Sequence, residues 1–221
     1  MEIINILLPL IGCLTGFLIA FVFKPKDSKL ILAFSGAFLI SLIVFDILPV
    51  IYGIPTFTPG PWIMAGILLQ IILEFLSNGS EHGHSYTKID QNKPLLILVS
   101  LCFHSILEGF PMNKFETLSY ALFLHKIPVA IVVYLIFVKN KKSYSYSFFC
   151  LGLFSVATPL GAIISYNIPF LNDLLNQLTS LVVGMLLHIG TTILFESSQD
   201  HKFNIQKILS ILAAILVSMI I

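Results

Sequence analysis

Eight apolar stretches of about twenty residues each, separated by short polar joints, constrain this chain more than any other feature. They run over residues 3–23, 30–50, 62–77, 94–112, 117–138, 146–166, 173–195 and 205–221. A helix needs about 20 apolar residues to cross the hydrocarbon of a bilayer. The joints hold breakers and polar residues, among them KPKDSK, YGIPTFTPGP, MNKFE and SYNIPFLND. Hydrophobic side chains make up 57% of the chain and charged ones only 10%, against about 25% charged in a soluble domain. Mean hydropathy is +0.97. The fold class expected is an all-α integral membrane protein with eight transmembrane helices. The opening MEIINILLPLIGCLTGFLIAFVF lacks a basic leader and a small-residue cleavage site, and reads as the first membrane helix.

Lysine positions set the orientation. Alternating the loops puts Lys24, Lys26, Lys29, Lys88, Lys93, Lys139, Lys141, Lys142, Lys202 and Lys207 on one side, and Lys114 alone on the other. That bias places both termini outside the cytoplasm and makes residues 77–94 a cytoplasmic loop between spans three and four. The chain, residues 1–221, is expected to be one transmembrane domain in the cell membrane. Net charge is +1, so nothing points to nucleic acid as a partner. Every basic residue is a lysine, so guanidinium recognition of phosphate or carboxylate is absent. Cys13, Cys102 and Cys150 lie in apolar stretches without a CxxC pair, and read as small core residues. With loops this short, function must lie within the membrane: transport, intramembrane catalysis or electron transfer.

Ionisable groups inside spans are costly unless paired, and mark functional sites by default. Here they are Asp46, Glu74, His104, Glu108, His125, Lys126, His188 and Glu196. His104 and Glu108 are four apart and share a helix face. His125 stands on the next span, and the joint between the two spans is short, so they are antiparallel neighbours. At about 1.5 Å rise per residue, both histidines lie roughly 13 Å from the turn, at matching depth near the midplane. Pro128 removes a backbone donor and crowds the carbonyl of Leu124, so the helix is expected to open beside His125. Imidazoles with a carboxylate suit Zn²⁺ or Fe²⁺ rather than Mg²⁺ or Ca²⁺. Glu74, at the end of span three, reads as an interfacial residue.

At these motifs the chain resembles the ZIP (Zrt-/Irt-like protein) divalent-metal transporters. HSILEG (His104 to Gly109) and HKIP (His125 to Pro128) are similar to the family's fourth- and fifth-span motifs. SGAFLISLIVFDILP in span two, TPLGAII in span six and EHGH in the loop after span three follow in order. The resemblance implies eight spans with an inverted repeat, hinted at by Gly36 and Gly184, each followed three residues later by Leu. It also implies a homodimer in which the spans carrying the site move against a scaffold. It implies flux of a divalent ion, zinc above all or else iron, manganese or cadmium, into the cytoplasm. Beyond that ion no cofactor is expected, and no enzymatic activity.

The family often carries two metals. Its first position maps onto His104, Glu108 and His125. Its second maps onto Ser105, Lys126, Val129 and Thr158, none of them a carboxylate, and Val129 also removes a ligand shared with the first position. Like charges in low dielectric repel, so Lys126 disfavours a second ion. With Ser105 it is expected to stand in for that ion and hold Glu108 ionised. Asp46 reads as a relay near the external mouth. His188, Thr192 and Glu196 share a face and form a polar lane leading to His201, while His82 and His84 with Glu81 can receive a departing ion.

Other functions fit less well. A metalloprotease needs paired histidines beside a general base, and HSILE has one histidine. A haem or quinone protein pairs histidines on facing spans without a carboxylate one turn away. A non-transporting metal sensor is the alternative that the residues leave open.

Overall fold

Backbone N–H and C=O groups find no water in hydrocarbon, so an apolar stretch that crosses it must satisfy them internally as a helix. The computed structural model describes residues 3–23, 29–77, 94–139, 144–196 and 205–220. Its elements are α1 (Ile3–Phe23), α2 (Lys29–Leu42), a π turn (Ile43–Ile47), α3 (Leu48–Tyr52) and α4 (Gly60–Ser77). Next come α5 (Pro94–Gly109), a 3-10 turn (Phe110–Asn113), α6 (Leu118–Lys139) and α7 (Tyr144–Asn167). The short α8 (Pro169–Asp173), α9 (Leu175–Glu196) and α10 (Ile205–Ser218) complete the described chain. Helices α2 and α3 form one span through the π turn. Seven spans are long and apolar enough to cross a membrane, and α10 is a shorter apolar helix. Its 14 residues rise about 21 Å, against a hydrocarbon core of about 30 Å. A span that short is accommodated by local thinning of the bilayer or by its flanking residues. The protein is an all-helical, multi-pass membrane protein.

The principal helix contacts are α1 with α6, α5 with α7, α4 with α9, α10 with α2, and α2 with α9. They fall into three sets: α1 with α6, α5 with α7, and the α2–α3 span with α4, α9 and α10. One apolar cluster joins α1, α5, α6 and α7 and includes Cys13, Leu101, Val129, Val133 and Phe154. The other runs from the α2–α3 span, α4, α9 and α10 into α5, α6 and α7, and includes Phe38, Ile43, Ile63, Leu107, Leu122, Val183 and Ala214. Exchanging spans one to four with spans six, seven, eight and five carries each principal pair onto another principal pair or onto itself. That is the pattern an inverted repeat requires. It resides in the helix pairing rather than in the two glycines, because Gly36 abuts Gly190 and Ile193 in span seven, whereas Gly184 abuts Ile63 in span three.

Two local expectations change. Helix α6 runs through Pro128 without a break. The irregular backbone lies instead in span two, where the Leu48 N–H bonds the Ile43 carbonyl five residues back. Such a wide turn just ahead of Pro49 accommodates a ring that would crowd the preceding turn of a regular helix. Lys207 is no loop residue: it lies buried in α10, and its ammonium donates to the Leu194 carbonyl in the last turn of α9.

Candidate metal centre

Packing first sets where α6 can sit. A Cβ on Gly12 would lie 2.4 Å from the Phe123 carbonyl oxygen, and one on Gly16 would lie 2.3 Å from that of Ile127. Only glycine admits this approach, so α1 presses on α6 immediately before and after His125 and Lys126. On the opposite flank, a Cβ on Gly161 would lie 1.9 Å from the Ile106 carbonyl oxygen. Helices α5 and α7 therefore touch backbone to backbone beside Glu108.

The turn between α5 and α6 sets their register. Glu116 accepts from Asn5 Nδ2 at 2.9 Å, Lys114 Nζ donates to Asn176 Oδ1 at 2.8 Å, and the Thr117 hydroxyl donates to Asp46. Partial burial lowers the Lys114 ammonium from its ordinary lysine value. These bonds tie the turn to α1, α9 and the π turn of span two.

The result is the depth match expected from residue counting. His104 Nε2 lies 2.8 Å from Glu108 Oε1, and His125 Nε2 lies 3.7 Å from the same oxygen. All three residues are buried, and their ligand atoms lie within 4.8 Å of one another. Among the described residues no other group of three or more His, Cys, Asp or Glu side chains is gathered in this way. Zinc held at about 2.0–2.2 Å by nitrogen and oxygen in a tetrahedron sets its ligand atoms roughly 3.3 Å apart. The two distances to Glu108 Oε1 bracket that value, so shifts of about half an ångström would seat an ion.

The other carboxylate oxygen points to a cation. Glu108 Oε2 accepts from Lys126 Nζ, which also donates to Ser105 Oγ at 2.8 Å and lies 4.9 Å from the centre of the Phe154 ring. Lys126 is 1% exposed, so its head does not reach out to water. Val129 belongs to the apolar cluster. Thr158 is buried on α7, with its hydroxyl unpartnered.

Remaining expected residues lie apart from this centre. Asp46 sits in the π turn and lines a cavity of about 410 Å³ with Leu42, Phe45, Thr117, Ser218 and Met219. His188 Nε2 pairs with Glu74 Oε2 at 2.8 Å, joining α9 to α4. Glu74 is thus more than an interfacial residue, and residue counting missed the pair because the two positions are 114 apart in sequence. Thr192 Oγ1 donates to the His188 carbonyl. His82, His84 and His201 lie outside the described residues, as does the Glu196 side chain. Phe154 was also missed: among 19 phenylalanines, no local signal marks the one that faces an ammonium. Cys13 and Cys150 are buried in the apolar cluster as expected, and Cys102 is partly exposed.

Among curated proteins none matches this sequence. The family model of the ZIP zinc transporters matches residues 77–221, a range that includes α5, α6 and α7 and every ligand of the buried group. With well over half of its length matched, the chain belongs to the ZIP zinc transporter family, whose members are multi-pass membrane transporters rather than enzymes.

Proposed function

We propose that this protein carries one divalent transition-metal ion at a time, with zinc the best fit, through His104, Glu108 and His125. Lys126 occupies the second position that relatives fill with metal. The observation that carries this reading is the divided use of Glu108: one oxygen faces two imidazoles, and the other accepts from a buried ammonium. The carboxylate bridges a metal position and a fixed cation, much as it would bridge two metals.

Two imidazoles and one carboxylate oxygen bind zinc but leave its fourth position open. An open position suits a site that must release its ion, since conduction needs binding weak enough to leave. The ammonium keeps the carboxylate ionised and aimed, and excludes a second ion by like charge. Asp46 at the rim cavity serves as an entry relay. His188 with Glu74 provides polar groups on the route out, followed by Glu196, His201 and the loop histidines His82 and His84. The homodimer and inward flux remain part of the same proposal, by kinship alone. The loop over residues 77–94 is assigned to the cytoplasmic side within a single transporter domain.

The test is zinc binding and uptake by the purified chain in proteoliposomes. One bound ion per chain is expected, with uptake abolished in Glu108→Ala. Two bound ions between α5 and α6, or normal uptake by Glu108→Ala, would refute the assignment. Stoichiometric binding without uptake would identify a sensor instead.

A further inference from the structure

An ammonium has three N–H donors and no acceptor. Buried in a membrane, each donor left without a partner carries the full cost of its lost hydration. Lys126 Nζ has oxygen partners for two, Glu108 Oε2 and Ser105 Oγ. The same ammonium lies over the ring of Phe154, whose centre is 4.9 Å away. Phe154 is 1% exposed and stands on α7, one turn before Thr158. Here α7 offers the centre an aromatic face and a hydroxyl.

From this we infer that Phe154 is a positioning residue for Lys126: its ring supplies the third partner of the ammonium and so holds the Glu108 carboxylate turned towards His104 and His125. The ring carries negative charge density on its face and attracts a cation without being an anion. It can therefore stabilise the ammonium without competing for a metal ion as a second carboxylate would. Glu108 and Ser105 come from α5, Lys126 from α6 and Phe154 from α7, so the cage ties three helices together. The binding consequence of this assignment rests on the single-metal reading above. The contact itself does not.

Replacing Phe154 by mono-, di- and trifluorinated phenylalanine tests it, because fluorine drains the ring face with little change in shape. Apparent melting temperatures of the purified full chain are measured with Lys126 in place and in the Glu108→Gln/Lys126→Met chain. A stepwise fall with each fluorine in the first background and none in the second is expected. Equal falls in both, or no fall in either, would overturn the inference and reduce Phe154 to packing. This arm reads the ring on Lys126 whether or not metal binds, so its failure is distinct from failure of the metal-site reading. In the zinc-binding arm, trifluorination is expected to weaken affinity by up to about thirtyfold, the size of a desolvated cation–π contact. Stoichiometry should stay at one. Unchanged zinc affinity across the series, in a chain whose binding Glu108→Ala abolishes, would overturn the positioning role of the ring.

Discussion

Separating Lys126 from Glu108 is the perturbation whose outcome the geometry fixes most sharply. The two side chains are 1% and 0% exposed, and they are hydrogen-bonded to each other. Removing one partner of a buried ion pair strands a charge and costs about 3–5 kcal/mol. Lys126→Met strands the carboxylate, and Glu108→Gln strands the ammonium. Removing both strands neither, and replacing a buried pair by uncharged groups of similar volume is often close to neutral. The double variant should therefore be more stable than either single one. For a chain of this size 1 kcal/mol moves the midpoint by about 2–4 °C, so each single variant should melt roughly 10 °C lower and the double only a few degrees lower. The assay is thermal unfolding of purified protein in one detergent at one scan rate, followed by loss of the monodisperse peak. If the double variant loses the sum of the two single losses, the pair is not coupled and Lys126 does not hold Glu108.

Other consequences are open to test. Gly161→Ala places a Cβ against the Ile106 carbonyl oxygen; it should destabilise the protein by about 1–3 kcal/mol, measured as a lower melting temperature. Removing two of the bonds that hold the α5–α6 turn, with Thr117→Val and Lys114→Met together, should cost about 1–3 kcal/mol at a net 0.5–1.5 each. The same melting assay checks it, and zinc stoichiometry should be unaltered. Breaking the pair between helices with His188→Leu removes a partly buried contact to Glu74 worth about 0.6 kcal/mol on average between membrane helices. A melting loss comparable to that of Lys126→Met would show that this pair is a structural keystone rather than a pathway contact. Reporter fusions at the two termini should fall on the same side of the membrane, as an even number of spans requires; opposite sides would mean that α10 does not cross.

Periodicity and composition alone determined the helices. Apolar runs of twenty residues have no other stable form in lipid, so the element boundaries lie within a few residues of those expected. The i, i+4 spacing put His104 and Glu108 on one face, and counting from a short turn put His125 at their depth. Both results are local: they depend on the rise of a helix and the length of a joint. Lys126 was legible as an anomaly for the same reason, since a charge in an apolar run needs a partner nearby.

Tertiary packing decided the rest. Which oxygen of Glu108 faces the imidazoles and which the ammonium depends on how α5, α6 and α7 meet, and that depends on backbone approach at Gly12, Gly16 and Gly161. The partnership of His188 with Glu74 joins α9 to α4, and no local pattern encodes it. Pro128 was expected to open its helix, yet the irregular turn lies at Ile43–Ile47, where Asp46 reaches the α5–α6 turn. The ring of Phe154 became part of the centre only because α7 crosses α5 closely enough to lay it over Lys126. Hydrophobicity and helical period specify which segments enter the membrane, because each segment meets lipid on its own. The coordination of a charge is specified only where several segments meet.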